Sequence, residues 1–211
     1  MRELQRGLWH WTAVHPEWEP GTDWAHTSVS SYALDDGAQL LLFDPIAVPS
    51  ELIARASERE VAIVLTCPWH ERDSQALVDE LRAPIFLPPP EAFNDDVDWL
   101  RPDLERLEAE GRIFVAGDRL PIGVDAFAGK KACDLVLWVE GRNALVIGDT
   151  LLDRGNGLEL LTDWLSAGQT RDQLIEILRP LLDLPIEVVL PTHGPPTDKA
   201  ALGRALASRP D

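Results

Sequence analysis

The sequence predicts an α/β protein built as a four-layer αββα sandwich, with two sheets face to face and helices outside. Three observations point there. Each half of the chain reads as several strands followed by helix, as two sheets with outer helices require. Val61–Leu65 is a continuous apolar run of strand length, the pattern of a strand covered on both faces, and Ile186–Leu190 reads as the last buried strand. Thr170 then opens an amphipathic helix late in the second half, with Leu174, Ile177, Leu178 and Leu181 expected on one face.

The elements follow in order. Leu8–Ala13 reads as a strand. Ser28–Leu34 and Ala38–Phe43 flank Asp35-Asp36-Gly37, a hairpin signal. A short helix is expected over Glu51–Ser57, with Ser50 as its cap. After the Val61–Leu65 strand comes a polar loop, Thr66–Ser74, then a helix over Gln75–Arg82 and a short strand at Ile85–Leu87. The prolines between Pro88 and Pro102 break regular structure, so 88–103 is the candidate insertion or lid of a single domain spanning 1–211. A helix over Asp103–Glu110 ends at Gly111. The second half offers strands near Ile113-Phe114, Gly123–Ala128, Asp134–Val139 and Ala144–Ile147, with a hairpin turn at Glu140–Asn143. Gly155-Asn156-Gly157 marks a loop, and Pro196–Ala207 a closing helix. No internal repeat or low-complexity tract interrupts this order.

Composition narrows the function. The 36 acidic residues outnumber 19 basic ones, a net charge of −17 that disfavours nucleic acid and anionic membranes as partners. No apolar run is long enough to span a bilayer, and Met1–Gly7 lacks a signal-peptide core, so a cytoplasmic location is the default expectation. Two cysteines, Cys67 and Cys133, form neither a disulfide framework nor a CxxC zinc site. Four of the eight tryptophans (Trp9, Trp11, Trp18, Trp24) fall in the first 24 residues, as core packing or as an interface for a homo-oligomer. His10, His15 and His26 share that region and read as structural. A small-molecule substrate is the expected partner.

Reactive side chains gather in loops that follow buried strands, where scaffolds carry function. These are Thr66-Cys67-Pro68-Trp69-His70-Glu71-Arg72-Asp73-Ser74, Gly148-Asp149-Thr150 and Pro191-Thr192-His193-Gly194. An apolar strand, a Thr-led polar loop and a helix are similar to the setting of the HxHxDH motif in metallo-β-lactamase-fold hydrolases. The Ala144–Leu152 segment resembles the strand that delivers that family's bridging aspartate, and Val188–Pro195 the strand and loop of its last histidine. The hairpin ending in Phe43-Asp44 also matches the early part of that fold. The resemblance runs in order from about residue 7 to residue 208.

It implies the metallo-β-lactamase-like αββα fold, with Asp149 in the bridging-aspartate position and His193 in the final-histidine position. The remaining positions depart from the family. Aligned on Thr66 without a gap, Cys67, Trp69, Glu71 and Arg72 take the motif positions. Shifted by one, His70 takes the second-histidine position, Arg72 the aspartate position and Asp73 the third-histidine position. Both registers stay open. The family's middle histidine lies in a GHTPG-like turn, which here reads Gly129-Lys130-Lys131-Ala132-Cys133, so Lys130 falls there.

Arg72 cannot ligate a metal, because its guanidinium stays protonated, and Lys130 would first have to lose a proton. Two cations at ligand positions exclude a two-zinc centre by repulsion. One outcome is a single divalent metal (Zn, Fe or Mn) held by Asp149, His193 and His70 or Glu71, in a hydrolase-like protein acting on a small ester, thioester, lactone or amide. The other is a metal-free ligand- or partner-binding descendant in which Lys130 and Arg72 replace the metals. His70, Glu71, Arg72 and Lys130 are the candidate catalytic residues. A third metal option draws on Cys67 and Cys133. The blander readings remain beside these: Glu71, Arg72 and Asp73 as N-terminal charges of the next helix with Ser74 its cap, and Lys130-Lys131 as a solvated turn.

Overall fold

The computed structural model describes residues 1–21, 27–91, 97–162, 165–166 and 168–207. Trp24, His26 and residues 92–96 of the expected insertion lie outside them. The chain divides into two compact units, Met1–Phe114 and Val115–Asp211.

The first unit holds a six-stranded sheet in the order β1-β2-β3-β4-β5-β6, comprising β1 (Arg2–Gln5), β2 (Leu8–Val14), β3 (Ser28–Asp35), β4 (Gln39–Phe43), β5 (Glu60–Val64) and β6 (Ile85–Phe86). Strands β1 to β4 pair antiparallel, and β4, β5 and β6 run parallel. The β3–β4 hairpin turns at Gly37, whose φ of +97° suits a residue without Cβ. Leu40, Leu41, Leu42 and Phe43 are all buried, as a strand covered on both faces requires. Each buried side chain of this size contributes roughly 1.5–3 kcal/mol.

Helix α1 (Ser50–Ala56) follows β4, and Leu52 packs on Leu40, Leu42 and Trp11. Its cap position is Pro49 rather than Ser50, and no side chain caps it. Helix α2 (Ser74–Leu81) packs Leu77 against Ile63, Leu65 and Ile85. Ser74 is its first residue and Asp73 takes the cap position, again without a side-chain cap bond. Within 88–103, Val97 and Leu100 are buried in that same core, together with Leu107 of α3 (Leu104–Ala109). Ile113 makes only an isolated bridge to Leu87.

The second unit holds a five-stranded sheet in the order β13-β10-β9-β8-β7, from β7 (Arg119–Leu120), β8 (Val124–Lys131), β9 (Asp134–Val139), β10 (Ala144–Gly148) and β13 (Val188–Pro191). Only β10 and β13 pair in parallel. A small hairpin, β11 (Leu152–Asp153) with β12 (Leu158–Glu159), carries the Gly155–Gly157 loop. Helices α4 (Arg171–Leu178) and α5 (Lys199–Ala207) pack Leu174, Leu178, Leu202 and Leu206 onto Val136, Leu145, Ile147 and Val189. Thr170 caps α4 in a full capping box with Gln173.

Two details depart from the sequence expectations. On α4 it is Ile175, not Ile177, that joins Leu174 and Leu178 in the core; Ile177 is 42% exposed. Steps of 100° per residue put Ile175 and Ile177 on opposite flanks of the face made by Leu174 and Leu178, and in the fold it is the Ile175 flank that meets the core. Strand β8 does not stop at Ala128 but continues through Lys130 and Lys131, with a register slip between Ala128 and Lys131. Lys130 is therefore buried in a strand rather than solvated in a turn.

Candidate functional site

In the first unit the site grows from two neighbouring parallel strands. Strand β4 ends at Phe43 and β5 at Val64, in register with it. The residues just past them therefore lie side by side. Asp44 adopts φ +45°, a left-handed conformation aspartate tolerates, and turns its carboxylate toward the loop after β5. Its Oδ1 accepts the Thr66 backbone N–H at 2.8 Å, and its Oδ2 accepts the Thr66 hydroxyl at 2.7 Å. His70 Nδ1 lies 3.1 Å from Asp44 Oδ2 and 3.0 Å from Thr66 Oγ1. Burial is the largest single influence on the Asp44 carboxyl and pushes its pKa up. The His70 charge and hydrogen bond, the Arg72 charge and the Thr66 hydroxyl together outweigh it, and hold the carboxyl below its ordinary range.

Arg72 serves the same aspartate from its other side. Its Nη1 donates to the Asp44 carbonyl at 2.7 Å and to the Ser30 carbonyl at 3.2 Å, while the Ser31 hydroxyl also donates to the Asp44 carbonyl at 2.7 Å. Arg72 has φ +50°, so the loop carries backbone strain to place that guanidinium. Glu71 does different work: its Oε1 accepts the backbone N–H of Gln75 at 3.2 Å, in the first turn of α2. Asp73 Oδ2 accepts the Ala47 backbone N–H at 2.6 Å. Cys67 is wholly buried at the start of this loop.

The second unit repeats the device. Strands β10 and β13 are parallel neighbours, so the residues after them meet. Asp149 follows Gly148, and His193 follows Pro191-Thr192. His193 Nε2 lies 3.3 Å from Asp149 Oδ1, and both residues are buried. The backbone around His193 is fixed by Asp153 N–H donating to the His193 carbonyl at 2.9 Å. Gly194 has φ +111°, and a Cβ there would lie 2.6 Å from Asp153 Cβ. Only glycine fits directly after His193.

Lys130 approaches Asp149 from β8. Its Nζ donates to the Asp149 carbonyl at 2.7 Å and lies 3.7 Å from Asp134 Oδ2, with side-chain exposures of 1% for the lysine and 0% for the aspartate. Its backbone N–H donates to Thr150 Oγ1 at 3.2 Å. Cys133 is buried on the turn between Lys130 and Asp134.

Asp149, His193 and Lys130 thus gather in the second unit, and His70 and Arg72 in the first. Glu71 stands apart as a helix-terminal acceptor. Two residues of the first cluster, Asp44 and Thr66, carry no site role in the sequence reading. Their signal is an Asp-Pro and a Thr immediately after two adjacent apolar runs of parallel-strand type.

No family model and no curated protein matches the sequence. Solved structures do match. DIM-1 metallo-β-lactamase is 12% identical with a TM-score of 0.66 over 98% of this chain and 94% of its own. TTHA1623, solved in a di-iron-bound form, is 25% identical with a TM-score of 0.57 over 84% of this chain and 93% of its own. The metallo-β-lactamase family protein TTHA1429 from Thermus thermophilus is 18% identical with a TM-score of 0.60 over 97% of this chain and 80% of its own.

Proposed function

Given that the chain has the metallo-β-lactamase fold, we propose that it is a hydrolase-like protein that holds a single divalent metal and acts on a small ester, thioester, lactone or amide. The observation that carries this reading is the buried Asp149–His193 pair. Two ligands of one tetrahedral or octahedral ion, at bond lengths near 2.1 Å, stand about 3.0–3.4 Å apart. The 3.3 Å between Asp149 Oδ1 and His193 Nε2 fits that spacing. A neutral imidazole and a carboxylate are donor types suited to Zn²⁺, Fe²⁺ or Mn²⁺. When bound, such an ion supplies Lewis-acid polarisation of a carbonyl and a water of lowered pKa.

The chain's own residues set the limits. Asp149 and His193 are the paired donors, both in the second unit; within the first unit, His70 is held through Nδ1 by Asp44 and Thr66. Lys130 argues against a second ion, because its ammonium already sits 2.7 Å from the Asp149 carbonyl and would repel another dication nearby. Elemental analysis of protein purified without added metal tests the reading. A stoichiometry near one is expected, and Asp149→Ala and His193→Ala should each abolish it. Two equivalents, or retention by both variants, refutes it. Hydrolysis of a panel of chromogenic esters and thioesters by the loaded protein tests the activity.

One observation favours a second reading, a metal-free descendant. Lys130 Nζ and Arg72 Nη1 each donate at 2.7 Å to the main-chain carbonyl of a site aspartate, Asp149 and Asp44 respectively. In that reading the two cations replace the metals and the protein binds a ligand or partner without hydrolysis. A metal content near zero, unchanged by incubation with Zn²⁺ or Mn²⁺, decides for it.

A further inference from the structure

Helices α4 and α5 of the second unit border an open groove of roughly 450 Å³. Its floor is apolar, made by Ile175 and Leu206, 7% and 6% exposed, with the half-buried Leu182. Its rim is charged, with Asp172 and Glu176 on α4 and Arg179 at the start of the 3₁₀ turn Arg179–Asp183. The described residues that line it do not include Asp149, His193 or Lys130.

A glycine stands in its wall. Gly203 lies at the middle of the nine-residue α5, where glycine weakens a helix relative to alanine. Its backbone does not require glycine: its φ is not positive, and a Cβ on it would meet no atom within 4 Å. No turn, strain or internal contact therefore accounts for it. The missing side chain keeps the groove wall low beside the exposed Ala207. A helix laid there approaches the backbone of α5 more closely than a larger residue would allow.

The charged rim says which helix. Asp172 and Arg179 are seven residues apart, two turns along one stripe, and opposite in sign. A second α4 running antiparallel, about a two-fold axis level with Ile175 and Glu176, sets Asp172 opposite the partner's Arg179. The same axis sets Arg179 opposite the partner's Asp172, since a two-fold interface makes each contact twice. Arg179 pairs within its own chain with Glu176 at 2.8 Å, but these side chains are 62% and 69% exposed, and such a surface pair resists exchange weakly. The groove is also charge-balanced, Arg171 and Arg179 against Asp172 and Glu176, on a chain of net charge −17 whose copies otherwise repel. The tryptophan-rich start is less suited to a second copy. Trp11 is 4% exposed with Nε1 donating to the Ile46 carbonyl at 2.7 Å, and Trp9 packs on the same core.

We infer that the α4–α5 groove is the docking site for a second copy of this chain, each α4 lying in the other's groove. The inference is independent of whether a metal is bound.

Sedimentation velocity of the full chain across a concentration series tests it. A species of twice the chain mass should appear and dissociate on dilution. Gly203→Trp fills the groove and should abolish that species, while its circular dichroism stays that of the parent. Asp172→Arg sets like charges opposite each other twice and should raise the dissociation constant more than about tenfold. Asp172→Arg combined with Arg179→Asp should return it to within about threefold of the parent. Ile177→Lys, on the other flank of α4, should leave it unchanged. A monomer at every concentration overturns the inference and leaves the groove to another occupant. So does a dimer that survives Gly203→Trp, or one that the charge swap fails to restore. A dimer lost in Ile177→Lys puts the interface elsewhere and overturns it too. If Gly203→Trp does not fold, the charge swap decides alone.

Discussion

Replacing Lys130 with methionine should destabilise the protein far more than a surface lysine would. Lys130 Nζ and Asp134 Oδ2 are 3.7 Å apart, and neither side chain reaches solvent appreciably. At an effective dielectric of about 20, that separation corresponds to roughly 4–5 kcal/mol of attraction. Much of it offsets the cost of taking both charges out of water, so the pair adds little net stability over an apolar pair. Removing one partner is different. Lys130→Met strips Asp134 of its counter-charge, a loss of about 3–5 kcal/mol, and also deletes the donor to the Asp149 carbonyl. Lys130→Met with Asp134→Val removes both charges and should recover most of that loss. Urea unfolding followed by tryptophan fluorescence reads both, as a change in midpoint at constant slope. The reasoning is wrong if Lys130→Met unfolds within about 1 kcal/mol of the parent, or if the double variant is no more stable than the single one.

Three further outcomes follow from the same contacts. Gly129→Ala would drive a Cβ into the Asp134 carbonyl oxygen and Thr150 Oγ1; overpacking against backbone should cost about 1–3 kcal/mol, seen as a lower Tm. His10, stacked on Tyr32 with Nε2 at 3.0 Å from Ser30 Oγ, has its pKa lowered to about 4, by burial first and then by Arg2. Its folded pKa lies below its unfolded value, so stability is full above about pH 6.5 and falls as pH drops toward 4. The whole shift would amount to about 3 kcal/mol, but the ring is only half-buried and solvent screening reduces this to on the order of 1 kcal/mol. A His10→Gln variant should show a flatter unfolding midpoint between pH 7 and 4.5, and an unchanged slope there would contradict the assignment. Thr170→Ala removes the capping box of α4 and should cost ~1 kcal/mol in chemical denaturation.

Most of the architecture is legible in the sequence because strand-length apolar runs and turn residues mark it locally. Val61–Val64 and Val188–Leu190 lack alternation, so a buried parallel strand is the natural reading, and Asp149 and His193 follow such strands. What the sequence hides is long-range pairing. Lys130-Lys131 after a glycine looks like a solvated turn, because the partner that allows burial, Asp134, faces it only once β8 and β9 pair. Arg72 reads as a cation in a ligand position, and only the fold shows its guanidinium on the Asp44 carbonyl. Asp44 itself reads as the end of a hairpin strand, since its contacts with Thr66 and His70 come from a residue 22 to 26 positions on. Ile177 and Ile175 fit the helical period almost equally well, and the sheet they pack on decides between them.

The lysine on β8 has a consequence for how the second unit depends on its surroundings. A divalent ion is exchangeable: its occupancy follows the free concentration outside, and a chelator removes it. The ammonium of Lys130 is attached to the backbone, so its effective concentration at the Asp149 carbonyl is fixed by the strand itself. The main chain that presents Asp149 should therefore hold its shape in metal-poor conditions. Starvation or chelation would empty the donors without loosening the strand ends that carry them.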